Sequence, residues 1–199
     1  MKIIPREFYN RDTVEVAKDL LGKILVRVVD RNILSGIIVE TEAYRSTDDP
    51  ASHSFRGKTK RNSVMFGEVG HAYVYFTYGN HYCLNVVAKD SNTLAGAVLI
   101  RSIEPIEGIK HMQRFRGTSD LYNLTTGPGK LTKALNITRM QNGIDVTRKG
   151  EIYVLDGNYV DDSCIITSSR IGIRTALEKK WRFLIANNKF VSKKGKNYN

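Results

Sequence analysis

The sequence predicts an α+β fold: a single mixed domain with a largely antiparallel curved β-sheet, flanking helices and a protruding β-hairpin. Three observations carry this prediction. Apolar runs of strand character follow one another across short, turn-rich connections, which suits antiparallel pairing. Other stretches space their apolar residues as helices do, between capping signals. No linker, composition shift or internal repeat divides the 199 residues, and 41% hydrophobic against 26% charged content suits one ordinary domain.

The elements follow in order. In "RDTVEVAKDLLG", Asp12 can cap, Glu15 stands three residues on, Val14, Ala17, Leu20 and Leu21 form a stripe, and Gly22 stops the helix. "KILVRVV" and "SGIIVETEAY" read as two strands of a hairpin or meander, with "DRN" between them. The polar, basic segment from Arg45 to Ser63 reads as a long loop, and such loops in compact domains are commonly functional or disordered. "HAYVYFTYGNHYCLNVVA" reads as two strands joined by a two-residue primed turn at Gly79 and Asn80. "GAVLIRSIEP" is a further buried strand, after which Pro105 is expected to open a helix carrying Ile106, Ile109, Met112 and Phe115 towards Gly117. "TTGPGKLTKALNI" gives a glycine-rich helix entry, and "GEIYVLDG", "CIITSSRIGI" and "WRFLIA" give late strands. Residues 1–190 form the expected domain, and 191–199 a basic, frayed tail.

Charge narrows the function. A net charge of +11 favours a polyanionic partner, because Lys and Arg gain affinity by releasing counterions from phosphates. Nucleic acid ranks before an anionic membrane, since no apolar run approaches the ~20 residues of a transmembrane helix and the start lacks a signal-peptide core. The expected location is intracellular: cytoplasm or nucleoid in a prokaryote, nucleus in a eukaryote. Cys83 and Cys164, and likewise His53, His71, His81 and His111, lack metal-ligand spacing, so neither a metal, a disulfide nor a cofactor is expected.

The most informative run is "GIIVETEAY". Regular alternation puts Ile38, Glu40, Glu42 and Tyr44 on one face, which is either a solvated edge or the floor of a pocket with a candidate general base. Tyr73, Tyr75, Tyr78 and Tyr82 crowd one hairpin, where rings either pack across strands or stack on bases. "RGKTKRN" holds Arg56, Lys58, Lys60 and Arg61, a solvated surface or a phosphate contact. "TGPGKLT" fails as a phosphate loop, because position 124 is Leu and Leu131 follows Lys130; its helix start could still meet a phosphate through free amides.

Taken together, "FYNRDTVEVAKDLLGK", "IVETEAYRSTDDPASHSFRGKTKRN", "MFGEVGHAYVYFTYGNHYCLNVV", "AVLIRSIEP", "LTTGPGKLTKAL", "SRIGI" and "WRF" resemble the alkyladenine, or 3-methyladenine, DNA glycosylase family over nearly the whole chain. Ser169 and Lys180 stand where that family usually has Pro, which bears on the loop around Arg170. The resemblance implies a monofunctional enzyme that acts as a monomer on duplex DNA. It would flip damaged purines (3-methyladenine, 7-methylguanine, hypoxanthine, ethenoadenine) out of the stack and hydrolyse the N-glycosidic bond without lyase activity, starting base excision repair. By the same resemblance Glu42 is the general base, Arg101 helps hold the water, and Ile171 completes the water site. Tyr44, Ala51, His53, Tyr75 and Asn85 would receive the base, with Asn85 disfavouring normal guanine, and Tyr78 would fill the vacated stack. Arg56, Lys58, Lys60, Arg61, Lys130 and Arg170 would meet the DNA backbone. Glu40 holds no water in this scheme, so Glu40→Gln is expected to keep far more activity than Glu42→Gln. The competing classes are a nonenzymatic nucleic-acid-binding module and an RNA-directed relative.

Overall fold

Strands β1 (Ile24–Val29) and β2 (Asn32–Arg45) form the hairpin expected of the first two apolar runs. The computed structural model describes residues 1–77 and 79–192. Asp30 and Arg31 alone connect the two strands, both at positive φ (47° and 68°), giving the mirror-image turn whose twist matches its flanks. Strands β3 (Ala72–Thr77), β4 (His81–Val87), β5 (Gly96–Glu107), β6 (Ile152–Leu155), β7 (Ile165–Ser168) and β8 (Arg182–Ile185) complete a curled antiparallel sheet, a half-barrel. The strand order is β3-β4-β5-β2-β1-β6, with β8 on β2 and β7 on β8.

Strand β2 is the axis of this sheet, and it changes partners partway along. β1 accompanies it as far as Ile37, and β8 takes over at Glu40. Around Glu40 the register to β5 skips Val39 on β2, just before it, and Arg101 on β5, just after it. Ile38 and Thr41 both face the main core, as do Ile100 and Ile103; Ile38, Ile100 and Ile103 belong to the core cluster, and the Thr41 hydroxyl donates to the Ala17 carbonyl at 2.6 Å. Regular alternation places core residues of one strand at even spacings, so the spacing of three on each strand marks a bulge. This corrects the expectation of one continuous face: Ile38 lies on the core side, and Glu40, Glu42 and Tyr44 on the other. Without the bulge the two carboxylates would point into hydrocarbon.

Helices α1 (Arg6–Tyr9) and α2 (Thr13–Asp19) precede the sheet, and α3 (Ile109–Arg116) and α4 (Pro128–Ala134) follow β5. Asp12 caps α2 as read from sequence, its Oδ1 accepting from the Val14 and Glu15 amides at 2.8 and 3.2 Å. Val16, Ala17, Leu20 and Leu21 are buried in one core with Ile38, Ala43, Val98 and Ile100, each large apolar side chain stabilising by ~1.5–3 kcal/mol. The core thus fixes the face of β2 that carries no chemistry.

Two local expectations are corrected. Pro105 opens no helix: β5 continues to Glu107, and Pro105 pairs with Gly36 where the register to β2 shifts, a place that tolerates a missing N–H. Helix α3 starts only at Ile109, after Gly108 at φ 76°, where a Cβ would stand 2.6 Å from the Ile33 carbonyl oxygen. The β3–β4 connection holds three residues rather than two, since Thr77 pairs with His81. Its first residue, Tyr78, lies outside the described residues, as do positions 193–199 of the stretch read as a tail.

Candidate active site

From Glu40 on, the side chains of β2 that point away from Ile38 and Thr41 lie towards residues of β5, β4 and β3. Glu40 and Glu42 are both 0% exposed, which excludes the solvated-edge reading. A buried carboxylate is costly unless its lone pairs are satisfied, and both are. Glu42 Oε1 accepts from the Ile171 amide at 2.7 Å, while Oε2 accepts from the Tyr44 hydroxyl at 2.7 Å and lies 3.2 Å from Arg101 Nη1. Glu40 Oε1 accepts from Arg101 Nε at 2.8 Å and Arg182 Nε at 2.7 Å, and its Oε2 accepts from the Ser192 amide at 2.7 Å. Burial opposes charge on Glu40, but Arg101 and Arg182 outweigh it and hold its pKa below the ordinary value. Burial likewise opposes the Arg101 charge, and Glu42 and Glu40 more than restore it, raising its pKa.

The three groups that hold Glu42, namely Tyr44, Arg101 and the Ile171 residue, also line a cavity of about 170 Å³. The carboxylate therefore lies directly behind the cavity wall. β3 contributes Tyr73 and Tyr75, whose centroids are 5.2 Å apart, and His53 closes against Tyr75 edge-on at 4.6 Å. His53 Nδ1 is 3.1 Å from the Tyr73 hydroxyl. Asn85 also lines this bowl, its amide donating to the Tyr73 carbonyl at 2.9 Å, together with Cys83, Leu99 and Ala51. Gly172, at φ 80°, turns the chain beside Ile171 so that the loop joins the wall.

Burial keeps the tyrosines neutral. Tyr44 and Tyr75 are pushed well above the ordinary phenol value by desolvation, helped in Tyr44 by Glu42 and in Tyr75 by Cys83, and Tyr73 is pushed up to about 12 by desolvation. His53 is pulled down by desolvation against the rings and by the nearby Arg61 charge. The bowl therefore presents uncharged aromatic faces above a negative carboxylate, an arrangement that attracts a flat, electron-poor or cationic ring system.

The expected base-receiving residues Tyr44, Ala51, His53, Tyr75 and Asn85 come together around this cavity, with Arg101 and Ile171 of the expected water site. Tyr73, Met65, Cys83, Leu99 and Pro128 also line it, beyond the residues expected to receive the base. Tyr73 had a signal, the alternation of "YVY", whereas Tyr82 turns to Phe76 (5.1 Å) as a cross-strand pair. Arg56, Lys58, Lys60 and Arg61 are exposed on the loop beside the cavity. Arg61 reaches the hairpin, donating to the Phe76 carbonyl at 3.1 Å with its guanidinium 5.4 Å from the Tyr75 ring. Lys130 is half-buried and donates to Asn123 Oδ1. The expectation for Arg170 is corrected: it is 0% exposed, forks onto Asp49 at 2.6 and 2.7 Å, and is stacked between Tyr44 (4.7 Å) and Trp181 (5.3 Å). Both arms of its guanidinium are used internally, so it braces the loop carrying Ala51 and His53 instead of meeting a phosphate.

Ser169 and Lys180 meet each other, Lys180 Nζ donating to Ser169 Oγ at 2.8 Å, while Ser169 Oγ donates to the Leu177 carbonyl at 3.0 Å. These bonds tie together the two ends of the loop that presents the Ile171 amide. Among the described residues, no group of three or more His, Cys, Asp or Glu side chains is placed to hold a metal ion, and no helix is long and apolar enough to cross a membrane.

Comparison with known proteins points the same way. A family model described as methylpurine-DNA glycosylase matches residues 7–189. A protein of Carboxydothermus hydrogenoformans is 50% identical over 192 residues, covering 96% of this chain and 100% of its own length. Relatives from Methanocella arvoryzae (48% over 198 residues, 98% of each chain) and Clostridium perfringens (46% over 202 residues, 95% of this chain and 98% of the relative) are similarly close. All three are provisionally named 3-methyladenine DNA glycosylases.

Proposed function

The chain belongs to the methylpurine-DNA glycosylase family, and from that premise we propose that it removes damaged purines from duplex DNA by hydrolysing the N-glycosidic bond. One observation carries the proposal. Glu42 is a buried carboxylate clamped by Tyr44, Arg101 and the Ile171 amide at the wall of an aromatic bowl sized for one bicyclic base.

The reaction follows from that geometry. A purine turned out of the stack enters between the Tyr44, Tyr75 and His53 rings, with Asn85 beneath it, and 3-methyladenine or 7-methylguanine brings a positive charge that the rings attract by ~0.5–2 kcal/mol. Tyr78 occupies the gap left in the duplex. As the bond from the base nitrogen to the sugar C1′ lengthens, its electron pair leaves with the base and the sugar gains oxocarbenium character, which the Glu42 charge stabilises. Water held near Glu42 and Arg101 attacks C1′ and gives its proton to Glu42, leaving an abasic site. Neutral hypoxanthine and ethenoadenine are poorer leaving groups and depend more on contacts in the bowl. No lysine among the described residues lines the bowl, which favours hydrolysis over a Schiff-base route.

The test is incubation of the pure protein with duplexes each carrying one of the four lesions, followed by alkali to cut at abasic sites. Breaks on the 3-methyladenine or hypoxanthine strand that require alkali are the expected result. Breaks before alkali would show lyase chemistry, and intact strands throughout would leave a DNA-binding module.

A further inference from the structure

We propose that Glu40 is a positioning residue for this reaction: it holds Arg101 so that the guanidinium approaches Glu42 by Nη1 alone instead of closing on it as a fork. The proposal rests on the reading of Glu42 as the catalytic carboxylate. Its basis is how the Arg101 donors are shared out. Nε goes to Glu40 Oε1 at 2.8 Å, Nη1 faces Glu42 Oε2 at 3.2 Å, and Nη2 is 3.4 Å from Ser192 Oγ. Glu40 is itself held from every side. Arg182 Nε and Ser192 Oγ donate to its Oε1 at 2.7 and 2.8 Å, and the Ser192 amide and Ser102 Oγ donate to its Oε2 at 2.7 and 3.1 Å.

A guanidinium beside a carboxylate prefers bidentate pairing. Were Glu40 absent, Arg101 would be free to turn its fork onto Glu42, displacing Tyr44 from Oε2 and tying up the lone pairs needed for a proton. Glu40 prevents this by competing for the same guanidinium from the opposite side. Glu40 lies between the two register shifts and Glu42 just past them, and Arg101 is the residue the β5 register skips, so the distortion of both strands serves to bring these groups together. A buried ion cluster is seldom kept for stability alone, because apolar replacements are often as stable. This reverses the expectation from sequence that Glu40→Gln is a mild change.

Glu40→Gln alone would leave Arg101 and Arg182 facing one carboxylate, so the decisive variant is Glu40→Gln/Arg182→Met, which keeps the cluster neutral. The full chain is assayed on a duplex with a single hypoxanthine, measuring thermal unfolding, DNA affinity and the single-turnover rate at saturating enzyme. The expected result is a folded protein with wild-type DNA affinity and a rate lower by roughly 10²-fold, the scale for a displaced catalytic group. A purely structural Glu40 would restore rate together with folding, and a near wild-type rate in the double variant overturns the proposal. Ser192→Ala decides if the double variant does not fold: it removes the Oγ contacts to Glu40 and Arg101 without changing charge. A lower rate at unchanged affinity supports the proposal, and an unchanged rate overturns it. Glu42→Gln is assayed in parallel. If it excises at the wild-type rate, the catalytic reading fails as a whole; if it is inactive while the Glu40 variants are not, only the positioning role fails.

Discussion

The floor of the bowl and its basic rim are built from the same residue types and use them in opposite ways. On the floor and behind it, Arg101, which lines the cavity, and Arg170 and Arg182, which do not, are 5%, 0% and 3% exposed, and each is paired with a buried carboxylate. On the rim, Arg56, Lys58, Lys60 and Arg61 stand exposed in seven residues of loop. Floor charges act on each other at short range with little solvent screening, so they set geometry. Rim charges act through water, are screened over about 8 Å at physiological salt, and are expected to set affinity for a polyanion. Changes on the floor should therefore appear in stability and chemistry, and changes on the rim in salt dependence.

The largest expected effect comes from breaking a floor pair. Asp49→Ala leaves the Arg170 guanidinium buried without its partner, which typically costs about 3–5 kcal/mol, or roughly 6–20 °C in Tm for a domain of this size. Thermal unfolding checks this, and a Tm within a degree or two of wild type would place Arg170 with the rim after all.

Acid probes the same floor more gently. The folded-state pKa of Glu40 is depressed below 4.5, so its contribution to stability is complete above that value and is lost as pH falls through the folded one. Urea unfolding between pH 7 and pH 3 should show this loss. The Glu40→Gln/Arg182→Met variant should show a flatter acid dependence, and parallel curves for the two proteins would remove Glu40 from the account.

That floor and rim look alike in sequence explains what could be read in advance. The strands, the α2 cap and the two glutamates on an otherwise apolar run were legible, because periodicity and capping are local. The bulge was not, since one skipped residue leaves composition and spacing almost unchanged while reversing which side chains share a face. Arg170 sits in "SSRIGI" with no local sign of Asp49, more than a hundred residues earlier in the chain, and Ser192 lies within a stretch that reads as a tail. Pro105 misled for a related reason: proline breaks a ladder only where an N–H is needed, and its partner decides that.

The smallest expected effect belongs to the rim. Lys58→Ala should leave stability within about 0.5 kcal/mol and lower the slope of log affinity against log salt by about 1, as loss of one phosphate contact does. Binding isotherms at several salt concentrations measure the slope. An unchanged slope would remove Lys58 from the DNA footprint.

The central claim is that Glu42 performs the chemistry, and replacing it with Gln tests that most directly, since size and hydrogen bonding persist while charge and basicity are lost. The measurement is the single-turnover rate of hypoxanthine excision, with lesion-DNA affinity determined separately. General-base help is worth ~10²–10⁴-fold, so the Glu42→Gln rate should fall at least that far with affinity nearly unchanged. Excision near the wild-type rate would contradict the account.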